Sequence, residues 1–171
     1  MNDLMLLAIL AEGPKHGYAL KKQAGVVLGQ PDMHNNLVYP LLRRFVAHKW
    51  VTRRQTAGER GQTRQVYSLT ALGRDALLDR LQQFDDASSA EAFRLRVGLS
   101  ELLEPSAREQ ILTARQNYLE AREQRCALLE TGMDLGRYGS EVTRFMREQI
   151  RAELAWIARL RRMNRARYEK P

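Results

Sequence analysis

A mainly α-helical protein in two parts is what this sequence predicts, and three observations carry the prediction. Leu, Arg, Ala and Glu dominate and only 7% of residues are aromatic, a mixture that favours helix over sheet. A helical stripe beginning near Asn35 gives way at Val51 to two alternating stretches around a polar turn with two glycines. Beyond residue 89 every periodic segment is helical. Together they predict an N-terminal winged helix-turn-helix with a two-stranded wing over residues 1–86. An all-helical C-terminal dimerisation domain then covers residues 87–171.

The first helix rests on Leu4, Leu7, Ala8 and Ala11 at helical spacing, stopped by Glu12-Gly13-Pro14. A second starts between Pro14 and Gly17, with His16 in its start and Tyr18, Leu20, Ala24 and Val27 on its apolar face. After the break at Gly29-Gln30-Pro31-Asp32, Asn35 or Asn36 caps a third helix that runs to about Lys49. Its core stripe is Leu37, Leu41, Leu42, Phe45 and Val46. Pro40 is placed in its first turn, where a missing N–H costs nothing. That leaves Asn36, Val38, Tyr39 and Arg43 near the helix start and partly outward. Trp50, at its end, reads as core.

In the wing, Val51, Arg53 and Gln55 alternate on one side of the turn Ala57–Thr63, and Val66, Ser68 and Thr70 alternate with Tyr67 and Leu69 on the other. Thr70 caps a fourth helix with Leu72, Ala76, Leu77 and Leu81 inside. Asp85-Asp86-Ala87-Ser88-Ser89 reads as the linker between the two domains.

Two capping-box patterns open the helices that follow, Ser88 with Glu91 and Ser106 with Glu109. The first helix spans roughly 90–103 and stops at Pro105; the second spans about 106–131, with Leu112, Leu119, Cys126 and Met133 repeating every seven residues. Glycines 132, 136 and 139 break the chain before a last helix from about Ser140 to Arg167. At 100° per residue its apolar side chains fill an arc of roughly 200°, twice what an ordinary surface helix buries. The excess implies one neighbour in its own subunit and one outside it. Phe145, Gln149, Ile150, Glu153, Trp156, Ile157 and Leu160 are the expected dimer interface. Gln149 and Glu153 lie mid-arc: they either fix the register of that interface or, for Glu153, pair with an arginine at a rim.

Net charge is +8 with a pI near 10.1, which points to a polyanionic partner. Residues 43–64 hold seven basic groups against Glu59, a local net of +6, and residues 159–170 hold six against Glu169. A single cysteine, Cys126, excludes an internal disulfide and suits a reducing compartment. The apolar run 4–11 is too short to span a bilayer and follows Asn2-Asp3 rather than a basic segment. A cytoplasmic protein without membrane contact is expected.

His16-Gly17-Tyr18-Ala19-Leu20, then Tyr39-Pro40-Leu41-Leu42-Arg43-Arg44, then Gly61, Arg64, Tyr67, Leu69-Thr70 and Gly73 are landmarks whose order and spacing are specific. On these, residues 1–86 resemble the winged helix-turn-helix domain of the PadR family of bacterial transcription regulators. Residues 87–171 resemble more loosely the helical C-terminal domain of its larger members, with Phe93-Arg94-Leu95-Arg96-Val97 as an echo. Many members carry a small Gly or Ser followed by Thr before the Tyr-Pro pair, where this chain has Asn36, Leu37 and Val38. The resemblance therefore implies DNA binding without specifying the bases read. It further implies a repressor, released by a small aromatic or hydrophobic effector.

Physical chemistry supplies compatible roles. A major groove admits one helix, whose first residues reach base edges or phosphates. Asn35 and Asn36 offer amides suited to adenine edges, Tyr39 offers a hydroxyl to a phosphate, and Arg43 and Arg44 offer cations. Arg60, Gln62, Thr63 and Arg64 form the wing tip. For an effector, only Phe93 and Trp156 stand out as aromatic walls, and core packing competes for both. His16, His34 and His48 lack metal-ligand spacing, and the two turn glycines are not followed by the lysine of a phosphate loop. With no Ser-His-Asp or Cys-His constellation either, no enzyme and no cofactor are expected. The rival reading is a winged helix used as a protein-interaction module without sequence-specific DNA binding, which would not need Arg53, Arg54, Arg60 and Arg64 clustered together.

Overall fold

A computed structural model describes residues 2–27, 35–57, 63–84 and 89–166. Its elements, in chain order, are α1 (Asn2–Ala11), β1 (Lys15–His16), α2 (Gly17–Val27), α3 (Asn35–Ala47), β2 (Val51–Ala57), β3 (Thr63–Leu69), α4 (Ala71–Gln82), α5 (Ala90–Gly98), a 3₁₀ turn (Ser100–Leu102), α6 (Pro105–Gly132) and α7 (Gly136–Ala166). The fold class is as expected: a mainly helical chain with a winged helix near its start. It divides into two compact units, residues 1–83 with 94–102, and residues 84–93 with 103–171. Among the described residues no helix is long and apolar enough to cross a membrane.

In the first unit, α1 is apolar all round and buried all round, from Leu4 to Leu10. The sheet has the order β1-β3-β2 and is antiparallel throughout. Its third strand is unexpected: Lys15 pairs with Tyr67 and His16 with Val66, so His16 belongs to β1 rather than to a helix start. Two residues are too few to show a period of two. Tyr18, expected on the apolar face of α2, is 75% exposed, while Leu20 and Ala24 are buried.

The root of the wing is fixed by three local devices. Lys49 ends α3 in the left-handed region at φ 59°, and Trp50 N–H donates to the Phe45 carbonyl at 2.9 Å while Lys49 N–H donates to Val46 at 3.0 Å. This is a Schellman closure made without glycine. Thr70 then caps α4, its Oγ1 accepting from Gly73 N–H at 3.0 Å. At Gly73 a Cβ would stand 2.0 Å from the Trp50 carbonyl oxygen, so only glycine lets α4 approach the turn. Inside α4, Ala76, Leu77 and Leu81 are buried as expected, but Leu72 is 57% exposed. Trp50 is half-buried rather than core, with the Arg80 guanidinium 4.3 Å from its ring centroid.

The second unit is a helical hairpin. Arg161 meets Glu109, Arg151 meets Glu123 and Arg147 meets Glu130, which makes α6 and α7 antiparallel. Ser88 lies outside the described residues; Ser89 is the residue that caps α5, accepting from Ala92 N–H at 3.2 Å. The Ser106 capping box does not form. Pro105 takes the first helical position, Glu104 the cap without a side-chain bond, and Ser106 falls inside the helix. Leu112, Leu119 and Cys126 are buried along α6, whereas Met133, past its end, is 61% exposed. Only Met133–Leu135 separate the two helices: α7 opens at Gly136 (φ 61°), whose N–H donates to Asp134, and continues through Gly139.

Candidate nucleic-acid interface

The geometry of α3 decides which of its side chains can meet a ligand. Val38, Leu42 and Phe45 are fully buried at helical spacing and hold the helix to its unit, each contributing roughly 1.5–3 kcal/mol of burial. This corrects the expected stripe: Val38 points inward and Leu37, 37% exposed, points out. Pro40 is not in the first turn but the sixth residue of the helix, which leaves the Asn36 carbonyl without its intrahelical N–H. Tyr39, Pro40, Arg43, Arg44 and Ala47 form the outer face. Asn35 and Asn36 open the helix as backbone; their side chains, like Arg60 and Gln62 in the wing tip, lie outside the described residues.

Tyr39 leans over the start of α2. A Cβ at Gly17 would stand 3.1 Å from Tyr39 Cε1 and 3.5 Å from Tyr67 Cε2, so glycine there lets both rings converge. Tyr67 is opposite Arg53 in the β2–β3 register and therefore shares its face of the sheet. The Arg53 guanidinium lies close enough to the Tyr67 hydroxyl to favour its ionised form. Burial holds the Tyr67 phenol above its ordinary ionisation range, with the Arg53 and Arg43 charges pulling the other way. The phenol therefore stays neutral. Tyr39, Arg43, Arg53 and Tyr67 thus form one cluster of two phenols and two cations.

Thr63 and Arg64 open β3, both exposed, with Thr63 opposite Ala57 and Arg64 opposite Thr56. Arg54 is exposed on the same face of the sheet as Arg64. Among the described residues, Arg43, Lys49, Arg54 and Arg64 are exposed with no acidic partner. Arg44 differs, because its guanidinium is ion-paired with Asp3 of α1. Tyr39 and Arg43 are exposed on α3 as expected, whereas Thr63 and Arg64, expected in the wing tip, are paired in β3. Sequence reasoning missed the Arg53–Tyr67 pair, for which the alternation around Val51 and the landmark tyrosine were the available signals.

In the second unit, Phe93 is fully buried, its ring 5.6 Å from Trp156 edge-on and 5.9 Å from Phe84. Beside it runs a two-point ion pair: Arg115 donates from Nε to Glu153 Oε1 at 2.8 Å and from Nη2 to Oε2 at 3.4 Å. The Arg115 guanidinium also lies 5.4 Å from the Phe93 ring centroid and 5.2 Å from that of Tyr118. Glu153 therefore has the arginine partner expected of it, but largely buried within its own chain rather than at a rim. Ile150 and Ile157 are likewise buried in this chain, at 3% and 1% exposure. Phe145 and Gln149 are exposed, and Trp156 and Leu160 half-buried.

Comparisons with known proteins bear on this geometry. Solved structures similar to the chain include Bacillus subtilis PadR in complex with operator DNA, at 18% identity and TM-score 0.44, covering 95% of this chain and 98% of that one. A transcriptional regulator from Clostridium thermocellum matches at 20% identity and TM-score 0.43, over 47% of this chain and 79% of its own. The protein TA0346 of Thermoplasma acidophilum matches at 26% identity and TM-score 0.44, over 58% and 86%. No curated protein matched. Residues 6–79, from α1 into α4, match the model of the transcriptional regulator PadR-like family. The match covers the winged-helix segment, which is similar to that family, and less than half of the chain.

Proposed function

We propose that this chain is a DNA-binding regulator that acts as a homodimer, represses from a pseudo-palindromic operator, and is released by a small effector. The observation that carries the reading is the set of exposed cations without acidic partners among the described residues, Arg43, Arg54 and Arg64, beside the Tyr39 hydroxyl on α3 and the wing. A cation without an acidic neighbour adds little to folding, and its natural complement is a row of phosphates. The start of α3 enters a major groove, with Asn35 and Asn36 at the base edges, and the wing with Arg60, Gln62, Thr63 and Arg64 follows the backbone. Arg53, opposite Tyr67, joins them.

The outer stripe of α7 supplies the dimer contact: Phe145, Gln149 and Trp156, continued by the exposed Tyr138, Val142 and Met163. Two such chains present recognition helices about 34 Å apart. For the effector, the half-buried Trp156 is the available aromatic wall, and Phe93 supports it from behind. Selection of DNA from a random duplex pool at fixed salt tests the whole reading. A bound pool should converge on two half-sites one helical turn apart. With 6–10 phosphate contacts, affinity should then fall roughly 10³–10⁵-fold between 50 and 200 mM salt. Salt-insensitive binding, or none to any duplex, overturns it in favour of a protein-interaction module.

A further inference from the structure

Two adjacent arginines on α3 stand in opposite electrostatic situations. Arg43 is exposed and has no acidic partner among the described residues. Arg44, one residue on, has a side chain 47% exposed, and its guanidinium is closed onto the carboxylate of Asp3 in the first turn of α1. That carboxylate sits where a helix start favours negative charge, so the acid is held in place independently of its partner. The pair links the helix proposed to read DNA to a helix whose other side chains from Leu4 to Leu10 are all buried.

We infer that Asp3 is a charge latch: it withholds Arg44 from DNA and sets how many cations the recognition helix presents. The inference rests on the DNA-binding reading above. Two features support it. The pair is partly exposed, so it falls among interactions that contribute little to stability and that one substitution can undo. The Arg44 guanidinium carbon also lies 5.9 Å from the Phe45 ring centroid, so once the acid is neutral only a weak cation–π contact holds the charged end. Arg44 is then a reserve phosphate contact, and Asp3 the positioning residue that keeps it in reserve.

The test measures duplex affinity against salt for the full chain, Arg44→Ala, Asp3→Asn and the double variant, each checked by thermal unfolding. Asp3→Ser serves as a second neutral variant. Arg44→Ala alone should leave affinity and salt slope as they are. Asp3→Asn should bind about threefold to fivefold tighter, with a slope steeper by roughly 0.9, the value of one added phosphate contact. The double variant should return to the starting behaviour, because the gain runs through Arg44. Arg44→Ala flattening the slope by itself would show Arg44 already on a phosphate and overturn the latch. So would Asp3→Asn leaving binding unchanged, or weakening it in both backgrounds, which makes the pair a mere tie between α1 and α3. A starting chain that binds no duplex instead defeats the DNA-binding reading on which the latch rests.

Discussion

Arginine does opposite work at the seam between α6 and α7 and on the wing. At the seam it is matched: Arg151 Nε lies 2.7 Å from Glu123, Arg161 Nε 2.7 Å from Glu109, and Arg147 meets Glu130. On α3 and the wing, Arg43, Arg54 and Arg64 are exposed with no acid among the described residues, and Arg53 lies opposite a neutral phenol. The difference separates charge that organises a fold from charge held ready for a ligand. A matched seam fixes which helix faces which. A surface of like charges is mildly self-repelling and is complementary to an anionic partner.

The largest effect that could break this comparison is in the hairpin. Arg115 and Glu153 have side chains only 3% and 17% exposed, so removing one leaves the other buried and unmatched. Arg115→Ala or Glu153→Ala should cost about 3–5 kcal/mol, read by chemical denaturation. Replacing both by apolar residues of similar volume should cost far less, because the penalty comes from the orphaned charge rather than from the missing pair. The salt slope of DNA binding should not move in either case. A single truncation costing no more than an exposed pair would erase the distinction drawn between the two units.

The converse holds on the wing. Arg43→Ala with Arg64→Ala should change unfolding stability by less than about 0.5 kcal/mol, as exposed positions do. The same pair should flatten the salt slope of DNA binding by roughly 1.8, about 0.9 for each phosphate that is no longer neutralised. Binding measured at three or more salt concentrations checks it. A large stability loss with an unchanged slope would place these arginines with those of the hairpin.

What the sequence made legible follows the same division. Long periodic segments were readable: α6 and α7 came out within a few residues of their observed ends, and Thr70 announced its cap. The errors fell where a few residues decide the structure. β1 has only two residues, supported by pairing with β3 that no local pattern encodes. The inward face of α3 was misread by one residue at Leu37 and Val38, because a hydrophobic stripe fixes a helix face only as well as the helix start is known. The capping box at Ser106 lost to Pro105, whose ring already fits the first helical position. At the interface, isolated basic residues were legible as charge. Whether an acid answers each one was not: Asp3 is 41 residues from Arg44 and Glu153 is 38 from Arg115.

The smallest expected effect tests the wing arginine opposite a buried phenol. Tyr67 is 6% exposed, and burial holds its phenol above the ordinary value of 10.0, with Arg53 opposing the shift. A raised value means that the folded chain keeps this proton where the unfolded chain loses it. The stabilisation is therefore complete below the unfolded value and is lost as pH rises through the folded one. Tyr67→Phe removes both the hydroxyl beside Arg53 and this titration. At neutral pH it should cost at most about 1.5 kcal/mol, the upper net worth of one hydrogen bond. The gap between the two chains should then narrow above about pH 10, where an unfolded tyrosine ionises. Denaturation of both proteins across that range reads it directly. A gap that stays constant through it would mean that the phenol is not held neutral by burial. Arg53 would then be a solvated cation like Arg43.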